Sequence, residues 1–216
     1  MTKEIYALGI GHNTPVLLDL AIGCGYSIAG LYHYNDKRTG EVDHGFNILG
    51  SFDDLWEMGD LHGKNFLLTM GDLGIRQKLA EKIQSLGGSF PTLIHPLAVI
   101  STFAKVSDNG VCIFPFVFVQ SDSVIGDHTV ILSHVNISHN TLVSKNCFIA
   151  GSAVVGAYTK VGEHVFIGQG AITISGKTDV IGHHSYIGAG ALVTKPVDPY
   201  AIIAGVPAKV IRFINH

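Results

Sequence analysis

Charge is what this chain has least of. Aspartate, glutamate, lysine and arginine make up only 14% of its 216 residues, and the formal net charge is -3. No basic stripe is available for a nucleic-acid backbone, and no basic cluster for an anionic membrane surface. Long apolar runs are missing as well. Gly9, Gly11, His12 and Pro15 interrupt the first apolar stretch, and none reaches the roughly 20 residues of a membrane-spanning helix. The three cysteines, Cys24, Cys112 and Cys147, are scattered and odd in number. That argues against a disulfide framework and makes a reducing, cytoplasmic location the expectation. Nor do the 12 histidines supply zinc spacing: no pair has helical ligand separation and none clusters with cysteine, so no metal is expected. The mean hydropathy of +0.35 is high for a soluble monomer and points to surface buried against other subunits.

What is abundant is a pattern that returns every six positions. From Ile125 the chain reads IGDHTV, ILSHVN, ISHNTL, VSKNCF, IAGSAV, VGAYTK, VGEHVF and IGQGAI. Each segment opens on an aliphatic, nearly always followed by Gly, Ser or Ala. After a short interruption the pattern resumes as IGHHSY and IGAGAL, reaching Val193. Upstream, Ile100 and Val106 keep the phase, and Ile113 and Val119 rejoin it after one extra residue at Gly110. A period of six fits neither the helical 3.6 nor a helix seam of 3.5. It does fit short β-segments joined by tight corners, with the aliphatic pointing into a narrow axial core. Gly and Asn crowd the corner phases, where positive φ is needed. The pattern predicts a parallel β-solenoid of five or so coils, roughly 25 Å long at about 4.8 Å per coil.

The first 95 residues carry a different pattern. Residues 4–10 read as a buried strand opening into the turn Gly11-His12-Asn13, and Pro15 starts a helix over Val16–Cys24. A second strand follows at residues 27–34, then a polar loop at 35–45, and Asn47–Gly50 lead into a short helix at 51–58 with Ser51 as its N-cap. A strand at 65–70 and a helix at 75–86 complete the alternation. Strand alternating with helix predicts a small parallel, Rossmann-like sheet with crossover helices on its faces. Pro91, His95 and Pro96 mark the passage between a domain at 1–95 and a second at 96–216. The turn Gly9-Ile10-Gly11-His12-Asn13 lacks the third glycine of a dinucleotide fingerprint, because position 14 is threonine. A glycine turn at a helix start still presents backbone N–H groups to phosphate.

With its in-phase hexapeptides, this glycine turn and the segment AGVPAKVI at Ala204–Ile211, the chain resembles the bacterial nucleotide-sugar N-acetyltransferases of the hexapeptide-repeat family, whose relatives include sialic-acid O-acetyltransferases. The resemblance implies an α/β, Rossmann-like N-terminal domain followed by a left-handed parallel β-helix with three hexapeptides per coil. It implies direct transfer from acetyl-CoA to the 4-amino group of a nucleotide-linked amino-deoxysugar, with UDP the expected nucleotide and dTDP or GDP the alternatives. It also implies a homotrimer with active sites between neighbouring solenoids. By resemblance the nucleotide sugar is held at Gly9, Gly11, His12 and Asn13, at His33, Asn35, Asp36 and Lys37, and at Gly71 and Asp72. Many members end their second strand with two adjacent acids; here the residues are His33-Tyr34-Asn35-Asp36, which leaves the base open.

His139, in ISHNTL, stands where the family carries its catalytic histidine. Acetyl transfer to an amine needs a base, because an ammonium has no lone pair, and an imidazole titrating near about 6.5 suits the task. The family's next residue is an acid, here Asn140, which holds the ring without adding charge. His134, read as the same phase of the preceding segment, is the rival base. A second family histidine, nine residues on, is replaced by Phe148. Coenzyme contacts are expected at Phe148, at Gly151, at Gly170 and Ala171, at Gly188 and Ala189, and at Pro207 and Lys209, with Lys209 meeting a phosphate. An oxyanion-binding N–H is expected near Gly151 or Ser152. Two other functions remain open: O-acetylation of a sialic-acid-like sugar, and a non-catalytic solenoid that binds nucleotide sugar.

Overall fold

The computed structural model describes residues 3–214, and the chain divides into two compact units, Met1–Leu93 and Ile94–His216.

In the first unit the order is β1 (Lys3–Leu8), α1 (Thr14–Gly23), β2 (Tyr26–His33), β3 (Val42–Asp43), β4 (Phe46–Ser51), α2 (Phe52–Glu57), β5 (Phe66–Leu68) and α3 (Leu73–Ser85). The sheet order is β3-β4-β2-β1-β5; β3 alone is antiparallel. Alternation along the strands feeds two cores. Ala7, Leu31 and Ile48 face Leu18 of α1, while Leu8, Phe66 and Leu68 face Leu55 of α2 and Ala80 and Ile83 of α3. Helices therefore cover both faces, as a mostly parallel sheet requires.

One stretch departs from the sequence reading. Residues 35–45, expected as a polar loop, hold a single 3-10 turn at Asp36–Arg38 and then β3. Asn47–Gly50, expected as a lead-in, lie within β4. The hairpin turns on His44 (φ 48°) and Gly45 (φ 84°), a two-residue turn with both central residues in the left-handed region. Arg38 ties the hairpin down through Glu41 (2.8 Å) and Asp43 (3.4 Å). Ser51 caps α2 in a full capping box with Asp54, matching its expected role.

The second unit is a parallel β-solenoid. Its strands are two residues long and pair in register along three faces: 118↔136↔154 on one, 124↔142↔160 on the next and 130↔148↔166 on the third. One coil is thus 18 residues, or three hexapeptides. The leading aliphatics, among them Ile131, Ile137, Val143, Ile149, Val155 and Ile167, are fully buried. A second inward column takes small residues, and where these are hydroxylated they bond to a carbonyl of the next coil. Ser123 donates to Ser138 O (2.8 Å), Thr141 to Gly156 O (3.1 Å) and Thr159 to Thr178 O (2.7 Å). The fourth hexapeptide position turns each corner in the left-handed region, with φ between 54° and 64° for His128, His134, Asn140, Asn146, Ser152, Tyr158 and His164. Gly170 (φ 63°) and Gly190 (φ 66°) take the same place without a Cβ penalty.

Candidate active site

Two groups of the expected residues converge, one in each unit. In the first unit the winding reverses at β1, since β2 and β4 lie to one side and β5 to the other. The crevice beyond the carboxyl ends at such a reversal is where open α/β sheets take ligands. The turns after β1 and β5 meet there. Thr14 Oγ1 lies 3.1 Å from Thr69 Oγ1, Thr69 donates to Gly9 O, and Gly71 lies so close to the Asn13 side chain that a Cβ would come within 3.2 Å of it. Arg76, buried on α3, fixes the second turn from behind through Leu68 O (2.7 Å) and Met70 O (3.3 Å). Asp72 serves as N-cap of α3, accepting from Ile75 N at 2.8 Å through Oδ1.

At the end of the neighbouring β2, His33 is buried and accepts from Asn35 N through Nδ1 (3.1 Å). Burial, and then the Arg38 guanidinium, lower its basicity, which keeps the ring neutral. Asn35 accepts from Lys37 N at 3.1 Å, closing a turn that leaves Asp36 and Lys37 exposed beside the crevice mouth of β2.

In the solenoid, His139 sits at the corner between the face of Asn136 and that of Leu142. Its Nδ1 lies 2.9 Å from Asn140 Oδ1. An amide oxygen only accepts, so Nδ1 carries the proton and the lone pair is left on Nε2. The His139 N–H donates to Gln120 Oε1 (3.3 Å), and Gln120 Nε2 donates to Asn136 Oδ1 (3.0 Å). The ring of Tyr158 stands edge-to-face with His139, centroids 5.3 Å apart. Gln120 and Tyr158 were not among the residues expected from sequence. Their coil neighbours lie 18 or more positions away, and only the period of three hexapeptides brings them to this corner.

The expected rival has different geometry. His134 is five residues before His139, not six, and shares its phase with Asn140; it turns its own corner with φ 64° and stacks on Phe116 at 5.0 Å. The expected coenzyme residues sort unevenly. Gly151, Gly170 and Gly190 stack at one corner, Gly170 N donating to Gly151 O at 3.0 Å, and a Cβ on Gly170 or Gly190 would meet nothing within 4 Å. That glycine ledge, with the exposed Gln169 and Ala189 beside it, leaves room for a long flexible ligand. Gly188 is different: a Cβ there would come 2.9 Å from that of Ala204, so it serves the packing of the next turn. Ala171 points into the core, because it occupies the inward small-residue column, whereas Ala189 is exposed. Phe148 is only 6% exposed and stacks on Phe166 at 5.5 Å, so it offers little surface to a ligand. Of the two oxyanion candidates, Ser152 N–H is taken by Ser133 O (3.0 Å), which leaves Gly151. Pro207 and Lys209 are exposed near the C-terminal hairpin.

The glycine ledge and His139 lie on different edges of the same prism. A groove of about 580 Å³ runs up a third region, from Leu142 past Lys160 and Val180 to His183, His184 and Tyr200. Of its lining residues His184 and Tyr200 stack at 5.0 Å, and the largely buried His164 stacks on His184 at 4.5 Å. Among the described residues no group of three histidine, cysteine or carboxylate side chains could hold a metal ion. No described helix is long and apolar enough to cross a membrane.

No protein-family model matches the chain. Solved structures do, along its whole length. A variant of GDP-perosamine N-acetyl transferase from Caulobacter crescentus, in complex with CoA and GDP-perosamine, matches with a TM-score of 0.85 at 27% identity, covering 96% of each chain. The acetyltransferase domain of PglB from Neisseria gonorrhoeae, in complex with acetyl coenzyme A, matches at 0.84 and 26% identity, covering 98% of this chain and all of that one. The chain shares the fold of these acetyltransferases. WeeI from Acinetobacter baumannii shares the fold alone, with a TM-score of 0.84 at 21% identity. The Caulobacter and Neisseria neighbours are acetyltransferases with CoA or acetyl-CoA as ligand, and the likeness takes in nearly all of both units.

Proposed function

We propose that this chain transfers an acetyl group from acetyl-CoA to the 4-amino group of a nucleotide-linked amino-deoxysugar, as a homotrimer of left-handed β-helices in the cytoplasm. The observation that carries the reading is the His139–Asn140 pair, which leaves the ring's lone pair on Nε2 at an exposed corner. In this reading residues 1–95 hold the nucleotide sugar and residues 96–216 hold the coenzyme. Bound acetyl-CoA supplies an activated thioester carbonyl. His139 Nε2 takes the proton from the attacking amine as the C–N bond forms and returns it to the coenzyme sulfur as the C–S bond breaks and CoA leaves as the thiol. Asn140 keeps the ring in the productive tautomer, and Gly151 N–H faces the developing oxyanion. No covalent link to the protein is needed.

The separation of the two edges supports the trimer. A single prism cannot bring His139 to its own glycine ledge, whereas a neighbouring copy turned about a threefold axis can. Exposed apolar residues on the faces, Phe118 and Ile172 on one and Val124, Leu142 and Val180 on another, supply surface for that contact. Sedimentation is expected to show three copies at micromolar concentration; a stable monomer there would remove the shared site.

UDP is the nucleotide we favour, and the GDP-perosamine held by the Caulobacter enzyme makes GDP the alternative. The direct test is CoA release from acetyl-CoA in the presence of UDP-, dTDP- and GDP-linked 4-amino sugars, beside a sialic acid. Turnover of the sialic acid alone would reassign the acceptor to a hydroxyl. No CoA release with any of them would leave a binding solenoid.

The two units also separate kinetically. Asp36→Ala is expected to raise KM for the sugar nucleotide about tenfold, the worth of one hydrogen bond to a charged group, with KM for acetyl-CoA unchanged. Lys209→Ala should do the reverse by several-fold, since an exposed cation on a phosphate is worth less. Equal effects on both substrates would place neither residue where proposed.

A further inference from the structure

Resting on the acetyl-transfer reading, we infer that Tyr158 is a specificity-determining residue whose ring forms the apolar wall of the acceptor-sugar site beside His139. The backbone makes the first argument. Tyr158 turns its corner with φ 64°, a conformation unfavourable for a bulky L-residue and one that other corners give mostly to Asn, Asp, His, Ser or Gly. Strain of this kind at an exposed position calls for a return elsewhere.

Ring geometry makes the second. Three aromatic residues share this corner phase, and the other two lie flat on an imidazole: Phe116 on His134 (19°) and Tyr200 on His184 (26°). Tyr158 instead meets His139 at 88°, edge to face and not flat, and it remains 59% exposed. Its place relative to the base is fixed by the chain, because Tyr158 N–H donates to His139 O at 3.3 Å. The bonds from Gly156 N to Thr173 Oγ1 (2.7 Å) and from Ala157 N to Ser175 Oγ (2.9 Å) hold the segment just before it.

Chemistry supplies the occupant. An amine whose proton reaches Nε2 of His139 brings its own carbon and the two adjoining ring carbons within reach of a group about 5 Å from the imidazole. Two polar groups, Gln120 from the coil below and Asn136 from its own coil, are hydrogen-bonded to each other beside His139. Tyr158, from the coil above, offers an aromatic face with few rotatable bonds, which suits the C–H side of a pyranose and an apolar substituent next to the amine-bearing carbon. The wall therefore selects an acceptor with a methyl group there over one with a hydroxymethyl group. Such a wall discriminates only modestly, because an apolar surface rejects an added hydroxyl by no more than about 10²-fold.

The test compares a 4-amino-4,6-dideoxy sugar nucleotide with its 6-hydroxy counterpart on the parent enzyme, Tyr158→Phe and Tyr158→Ala. The expected result is that alanine raises KM for the deoxy acceptor about tenfold and narrows the preference between the two, while phenylalanine keeps both. KM for acetyl-CoA and the acid limb of the pH profile should stay as in the parent. If alanine leaves the sugar KM and the preference unchanged, the wall is elsewhere. If alanine alters the acid limb or the coenzyme KM as much as the sugar KM, Tyr158 only supports His139. If phenylalanine fails like alanine, the hydroxyl and not the ring face is at work, and the inference falls. Failure of the underlying reading looks different, because the parent would then turn over neither sugar.

Discussion

Replacing His139 with alanine is expected to lower kcat by about 10²–10⁴-fold with little change in either KM, the usual worth of a positioned general base. The expectation rests on one proton. Asn140 Oδ1 accepts from Nδ1, so the lone pair stays on Nε2 at an exposed corner. His134→Ala is the control, and it should be tolerated: its ring lies flat on Phe116 and at a different corner of the coil. The reverse outcome, with His134 essential and His139 dispensable, would move the base to that other corner. Asn140→Asp tests the same hydrogen bond from its partner. A carboxylate beside Nδ1 favours the imidazolium, so the rising acid limb of the pH profile should shift to higher pH. An unmoved limb would mean that residue 140 does not touch the ring during turnover.

Replacing Ile149 with alanine is expected to destabilise the solenoid by about 2–5 kcal/mol, the range for truncating a large aliphatic in a tight core. Ile149 is fully buried and stacks between Ile131 and Ile167 along one inward column. Each coil touches only the coils above and below, so a cavity at one level cannot be filled by rearrangement from the side. Denaturant titration should show a lower midpoint for the transition of the solenoid. A midpoint within error of the parent's would mean that the coils close up over the gap.

The solenoid was open to reading because its signal repeats. Eight aliphatics in phase leave one period that fits, and both irregularities, at Gly110 and after Thr173, were visible as breaks in phase. The hairpin at Val42–Ser51 was not, because its turn is His44-Gly45 and its first strand is two residues long. Arg38, which holds it, acts through Glu41 and Asp43, side chains that a sequence shows only as a polar run. At the site, His139 and Asn140 were legible as neighbours. Tyr158 and Gln120 were not, since their closeness to His139 depends on coil geometry and not on spacing along one segment. The same dependence separated Gly170, which faces open space, from Gly188, which faces Ala204, although both sit in glycine-alanine steps.

The coils differ in length by small amounts. Partners pair 19 residues apart at the first coil (105↔124), 18 in the middle (124↔142) and 20 near the end (160↔180). A helix of identical turns has no unique thread: a chain could wind one turn too early and bury nearly the same aliphatics. Here such a slip would push an extra residue into a ladder that has no room for it. It would also set the hydroxyls of Ser123, Thr141 and Thr159 against carbonyls at the wrong height. The unequal coils thus act as an address, giving each turn one place in the stack. A chain trimmed to uniform 18-residue turns would keep its core chemistry and lose the means of counting.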